Sequence, residues 1–213
     1  MHFEILTEDQ SSKKAMDILL PKLLENRATY RTISYRGIGY IPKGLQPKTD
    51  AQKRILLDRL PELLRGYGRS LFEATLVIIC DLDDKDHDSF LFDLNQILAS
   101  CNPKPETLFC LAIEEFEAWY LGDLEAVRKA YPRAKNNILS SYVNDSICGT
   151  WELLADAICQ GGSKALSKKG WQAIGGQKSV WAEVISPLMD IDNNYSPSFN
   201  TMRVQIQEAA KYL

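Results

Sequence analysis

ATLVIIC, residues Ala74–Cys80, runs straight into Asp81-Leu82-Asp83-Asp84. An uncharged run rich in β-branched side chains reads as a central parallel strand, buried on both faces. Its abrupt end in a D-x-D puts carboxylates at the point where such a strand gives way to a helix. Working outward, His2–Thr7 (HFEILT), Thr29–Tyr35 (TYRTISY) and Thr107–Ile113 (TLFCLAI) read as three more strands. Between them, apolar positions keep helical spacing over Lys13–Leu24, about 50–64, and Ser89–Leu98. Pro21 and Pro61 predict bends in the first two helices. This alternation predicts an α/β fold, a four-stranded parallel sheet flanked by helices.

After Tyr131-Pro132 the strand signals stop. Helical stretches around Thr150–Cys159, Ser179–Met189 and Asn200–Tyr212 predict a C-terminal helical extension. The expected organisation is an α/β domain over 1–132 with a helical region over 133–213 packed on it. Trp171, Trp181 and Phe199 read as the packing core of that region rather than as a base-stacking surface.

Composition narrows the function classes. With 45% hydrophobic and 25% charged residues in 213, there is material for a real core. A net charge of −3 argues against a chain-wide basic grip on nucleic acid, though a local patch remains compatible with it. Five cysteines without a CxxC, and only two histidines, leave little for a zinc site. Cys80 and Cys110 fall inside apolar strands, where cysteine behaves as a small core residue. A reduced, cytoplasmic, soluble protein is expected, since no apolar run approaches the ~20 residues of a membrane helix.

In parallel α/β sheets, ligands collect beyond the carboxyl ends of the strands. Glu8 follows the first strand, Asp81 and Asp83 the third, and Glu115 and Glu117 the fourth. Carboxylates gathered without histidines or thiolates suit a hard cation, Mg²⁺ or Mn²⁺. Like-charge repulsion is the physical reason to expect that cation. Each acid also has a plain structural role available. Asp83 or Asp84 could cap the following helix, and Asp9, Ser11 or Ser12 the first. Glu114, Glu115 and Glu117 could be first-turn acids favoured by a helix dipole. Acids at three of the four strand ends favour the shared site.

The order of strand, Glu8, helix, then hydrophobic strand with Asp81 and Asp83 resembles the Toprim fold of topoisomerases, primases and related nucleases. More closely, the chain resembles a Toprim-like family catalogued as domain of unknown function 4276. The stretches that carry this are Ile5–Leu24, the RGIGYIPKG loop (Arg36–Gly44), VIICDLDD (Val77–Asp84) and AIEEFEAWYLGDLEAV (Ala112–Val127). KSVWAEVISPLMD (Lys178–Asp190) and SPSF (Ser196–Phe199) complete the set. Where Toprim proteins commonly place glycine or another small residue after the glutamate, this chain has Asp9-Gln10. The resemblance implies Glu8 as general acid/base or further metal ligand, and Asp81 and Asp83 as ligands of Mg²⁺ or Mn²⁺. Glu115 and Glu117 would complete a second metal position or orient the first. Lys13, Lys14, Arg36, Lys43, Lys164 and Lys178 are candidate phosphate contacts, with Arg36 and Lys43 the stronger because they flank a glycine-containing loop.

The implied activity is metal-dependent nuclease action on nucleic acid, in a phage-defence or mobile-element setting. The chain has no G-x-x-x-x-G-K-[ST], so any ATP dependence would come from a partner ATPase. The rival reading is a metal-binding module that recognises nucleic acid or such a partner without cutting. A haloacid-dehalogenase phosphatase is disfavoured by Lys85 at the expected Thr or Val position and by the lack of a later G-D-x-x-x-D. A receiver domain is disfavoured by the missing fifth strand.

Overall fold

β1 (His2–Thr7) lies between β2 (Thr29–Ser34) and β3 (Ala74–Asp81), and β3 pairs on its other side with β4 (Thr107–Ala112). All pairings are parallel, giving the order β2-β1-β3-β4. The structure, a computed structural model, describes residues 1–25, 27–42, 50–70 and 73–211. Register sets Leu6 beside Ile78, and Ile78 beside Phe109. Because side chains alternate along a strand, each strand feeds two cores. Phe3, Ile5, Val77, Ile79 and Cys110 point to one, while Leu6, Leu76, Ile78, Cys80 and Leu111 point to the other. Helices cover both, which is why β3 can be uncharged until its last residue. The expected α/β architecture and the burial of Cys80 and Cys110 are what the chain adopts.

α1 (Gln10–Leu24) covers the first face. It starts at Asp9, whose carboxylate accepts the Ser12 N–H at 2.8 Å and the Ser11 hydroxyl at 2.6 Å. The helix therefore begins three residues before its apolar pattern does. α2 (Leu56–Ser70) and α3 (His87–Ala99) cover the second face. α2 starts and ends later than its sequence pattern indicates. The loop after β2 explains the late start: the Arg36 N–H donates to the Arg54 carbonyl at 2.8 Å, and the Leu56 N–H to the Gly37 carbonyl at 3.1 Å. Arg54 itself takes a left-handed φ of 53°, so the 3₁₀ turn at Ala51–Lys53 cannot run on into the helix. Pro21 and Pro61 lie inside helices that continue past them.

Beyond β4 come α4 (Glu117–Leu121), α5 (Leu124–Ala130), α6 (Asn136–Leu139), α7 (Thr150–Ile158), α8 (Gly162–Ser167), α9 (Trp171–Ile185) and α10 (Pro197–Lys211). These helices share the core of the first sheet face. Trp181, Phe199, Met202 and Ile206 are buried in the same cluster as Phe3, Ile5 and Val77. The Trp119 ring bridges Phe116, at 4.5 Å between centroids, and Phe199, at 5.8 Å. Trp181 and Phe199 are thus core residues as their pattern implies. Trp171 is not: it opens α9 and is 82% exposed, because the stripe that α9 buries begins only at Ile174. Among the described residues no helix is long and apolar enough to cross a membrane.

Candidate functional site

The carboxyl ends of β1, β3 and β4 bring the acidic residues to one edge of the sheet. The backbone N–H of Asp81 donates to Glu8 Oε2 at 3.3 Å, tying the end of β3 to the residue that follows β1. Past the last strand residues, Leu82 N–H donates to the Ala112 carbonyl at 2.9 Å and Asp83 N–H to the Glu114 carbonyl at 2.8 Å. Both chains then turn sharply, with Asp83 at φ 52° and Glu114 at φ 61°. Left-handed conformations in two facing non-glycine residues cost of order 1 kcal/mol each, and such strain persists where surrounding contacts over-determine it.

Those contacts are visible at Glu114. Its carboxylate accepts the N–H groups of Cys148, Gly149 and Thr150 at 3.2, 2.7 and 2.9 Å, capping the start of α7 from outside that helix. Glu115, next in sequence, accepts from the Trp151 N–H at 3.4 Å. Glu117 lies in the first turn of α4 and is 2% exposed. The cap before α3 is neither Asp83 nor Asp84 but Asp86, which accepts the Ser89 N–H at 2.9 Å. Asp83 instead pairs with Lys85 at 2.6 Å.

Lys178 joins this cluster from α9. Its Nζ stands 3.2 Å from Glu115 Oε1 and 3.1 Å from Glu117 Oε2. The second contact is the one partner of the buried Glu117 Oε2 among the described residues. The sequence offers a signal for this placement. Ile174, Lys178, Trp181 and Ile185 recur on one helical face, so Lys178 interrupts an otherwise buried apolar stripe. As a phosphate contact, Lys178 would have to reach past two carboxylates that already hold it.

The electrostatics follow from burial. Burial pushes Glu8 up to about 7, with Asp9 and Asp83 adding repulsion against the Asp81 N–H bond. Burial, then the Glu8 charge, raises Asp81 well above the usual carboxylate range. Glu117 is pushed up to about 7 by burial, with Lys178 working in the opposite direction. For Lys178, burial favours loss of the proton, but Glu117 and Glu115 outweigh it and hold the ammonium above its ordinary value. Burial first and mutual repulsion second raise the three carboxyls, while their combined charge raises Lys178 against its own burial.

The remaining basic candidates fall elsewhere. Lys13 pairs with Asp17 at 2.5 Å, and Lys14 with Glu183. Lys164 is exposed on α8. Arg36 is exposed just after β2, and the next residue, Gly37, donates its N–H to the Glu8 carbonyl at 3.0 Å, which places this loop against the site. Lys43 lies outside the described residues. Among the described residues, no three His, Cys, Asp or Glu side chains already stand in positions to hold a metal ion together. The donor types of Glu8, Asp81 and Asp83 fit a hard cation, while the buried Glu117 oxygen is already met by the Lys178 ammonium. A cavity of about 420 Å³ opens elsewhere, lined by Asp123, Arg128, Tyr142, Asp190 and Tyr195 among others and by none of the clustered carboxylates.

The segment carrying Glu115 and Glu117 is locked to the SPSF segment. Trp119 Nε1–H donates to Ser198 Oγ at 3.0 Å, and Asn194 Nδ2–H to the Trp119 carbonyl at 2.8 Å. Ser196 Oγ–H donates to Asp145 at 2.7 Å while accepting the Phe199 N–H at 3.1 Å. Gly122 is where the two segments touch: an added Cβ would stand 2.8 Å from Ser196 Cβ. The family model described as Domain of unknown function (DUF4276) matches residues 7–207. The chain belongs to the DUF4276 family. The DUF4276 match takes in all five carboxylates, Lys178 and both interlocked segments. No curated protein and no solved structure matches the chain.

Proposed function

We propose that this DUF4276 protein is a Toprim-like, Mg²⁺- or Mn²⁺-dependent nuclease that hydrolyses phosphodiester bonds. The observation that carries the reading is the Asp81 N–H bond to Glu8 Oε2, which joins acids of two strand ends at the edge where α/β sheets bind ligands. Asp81 and Asp83 would hold the cation, with Glu8 as general acid/base or a further ligand and Glu115 and Glu117 behind them. When bound, such a cation supplies charge to phosphoryl oxygens and acidifies water. Glu8, held near 7, suits a group that takes and returns a proton at neutral pH. Arg36, in the loop that Gly37 ties to the Glu8 carbonyl, is a basic group available to meet a phosphate. The setting that fits is phage defence or a mobile element, with a partner ATPase where ATP is required.

A second reading has its own observation. Lys178 already neutralises part of the cluster, which favours a module that recognises nucleic acid or a partner without cutting. Purified protein incubated with plasmid, single-stranded DNA and tRNA, with and without Mg²⁺ or Mn²⁺, separates the two. Metal-dependent cleavage that disappears in Asp81→Ala is the expected result. No cleavage of any substrate, with metal affinity unaltered in Asp81→Ala, would overturn both the activity and the site.

A further inference from the structure

We infer that the acidic site is built for a single divalent cation, with the Lys178 ammonium standing permanently in place of a second one. The inference rests on the metal-dependent reading above and specifies how many cations the site takes. Five carboxylates at a sheet edge invite a two-metal arrangement, in which cations about 3.5–4 Å apart share bridging ligands. Here the two halves of the cluster are not equivalent. Glu115 and Glu117 face Nζ of Lys178 at 3.2 and 3.1 Å, so a positive charge already fills the space between them. Glu8 and Asp81, by contrast, feel the Lys178 charge only from beyond ion-pair distance; among the described residues no basic side chain pairs with either, and the Asp81 N–H donates to Glu8. Asp83 lies on the same side, with Lys85 reaching it from two residues away at the surface.

Lys178 cannot easily give up its place. Its side chain is 13% exposed, and it roots in a helix whose Ile174, Trp181, Ala182 and Ile185 are buried around it. A divalent cation entering between Glu115 and Glu117 would leave an ammonium buried without its partners, and an uncompensated buried charge is strongly unfavourable. The buried Glu117 oxygen points the same way. Its partner is the ammonium 3.1 Å away, as expected where an ammonium fills a pocket of acidic oxygens. The partition is therefore Glu8, Asp81 and Asp83 for the metal, and Glu115 and Glu117 for the lysine.

The test counts bound Mn²⁺ by equilibrium dialysis and reads its surroundings by electron paramagnetic resonance. The wild-type protein is expected to bind one Mn²⁺ per chain, with the signal of an isolated ion. Lys178→Met is expected to bind two, with the altered signal of spin-coupled neighbours, and Lys178→Arg to remain at one. Two coupled ions in the wild-type protein would overturn this inference while leaving the metal-dependent reading intact. No bound Mn²⁺ in either the wild type or Lys178→Met would overturn that reading, and this inference with it. A single ion in a folded Lys178→Met would overturn the substitution by lysine. The wild-type count decides between one and two even if Lys178→Met does not fold.

Discussion

Replacing Lys178 by Met, with metal chelated, removes one buried positive charge and leaves Glu115 and Glu117 facing each other. The size of the penalty depends on burial. A surface ion pair is worth up to about 1 kcal/mol, whereas removing one partner of a buried pair costs roughly 3–5 kcal/mol. The Lys178 side chain is 13% exposed and that of Glu117 3%, so the larger figure applies at about pH 8. In a chain of this length the melting temperature would fall by about 10 °C. The sign with pH follows from Glu117. Its folded value of about 7 lies above the ordinary 4.5, so in the wild type its ionisation costs stability as pH climbs between those two values. Without Lys178 the carboxyl is pushed higher, and the cost goes on accumulating above 7. At about pH 5 Glu117 keeps its proton in both proteins, so the gap narrows by about 1.4 kcal/mol, the value of one proton over the single pH unit from 7 to 8. Urea unfolding at both pH values reads this directly. Adding Glu117→Gln to Lys178→Met is expected to remove that pH dependence, recovering about 1.4 kcal/mol at the higher pH. A penalty that is equal at both pH values, or below about 1 kcal/mol at pH 8, would refute the reasoning.

Three further outcomes are expected. Glu114→Ala removes the acceptor of three α7 amides and should cost about 1–2 kcal/mol, with hydrogen exchange quickening first at Cys148–Thr150; an unchanged exchange rate there would count against the cap. Gly122→Ala should cost about 1–3 kcal/mol in thermal unfolding by prising the 194–196 segment from α4, and a neutral effect would show that the contact yields freely. Glu4, 1% exposed in β1, is held below its ordinary value: burial opposes this, but bonds from Arg31 and from Tyr67 at 2.9 Å outweigh it. Its contribution is therefore present above 4.5 and lost as pH falls through the lowered value, so Glu4→Gln should flatten the acid limb of a stability–pH curve. An acid limb of unchanged steepness would place that loss elsewhere.

What the sequence discloses and what it hides have the same origin. Local pattern is enough for β3, because a strand buried on both faces must be uncharged until the sheet ends. It is enough for Asp81 too, since a charge at the end of such a strand marks the sheet edge. The start of α2 is not legible, because the Arg54 carbonyl is held by the Arg36 N–H and the Leu56 N–H by the Gly37 carbonyl, residues in another segment. Trp171 misleads because size alone does not fix a face, and its position on α9 turns it outward.

Lys178 is the instructive case. The repulsion among Glu8, Asp81, Glu115 and Glu117 is readable from their places after the strands, and it demands positive charge. Which cation answers that demand is not readable from those residues, since the chain supplies part of it from α9, 63 positions beyond Glu115. The clue is a lysine at the i, i+4, i+7 spacing of Ile174, Lys178 and Trp181, where an apolar residue belongs. A buried lysine of this kind needs carboxylates as much as they need it. The number of metal ions a carboxylate cluster takes therefore follows only after the interior lysines of the chain have been assigned their partners.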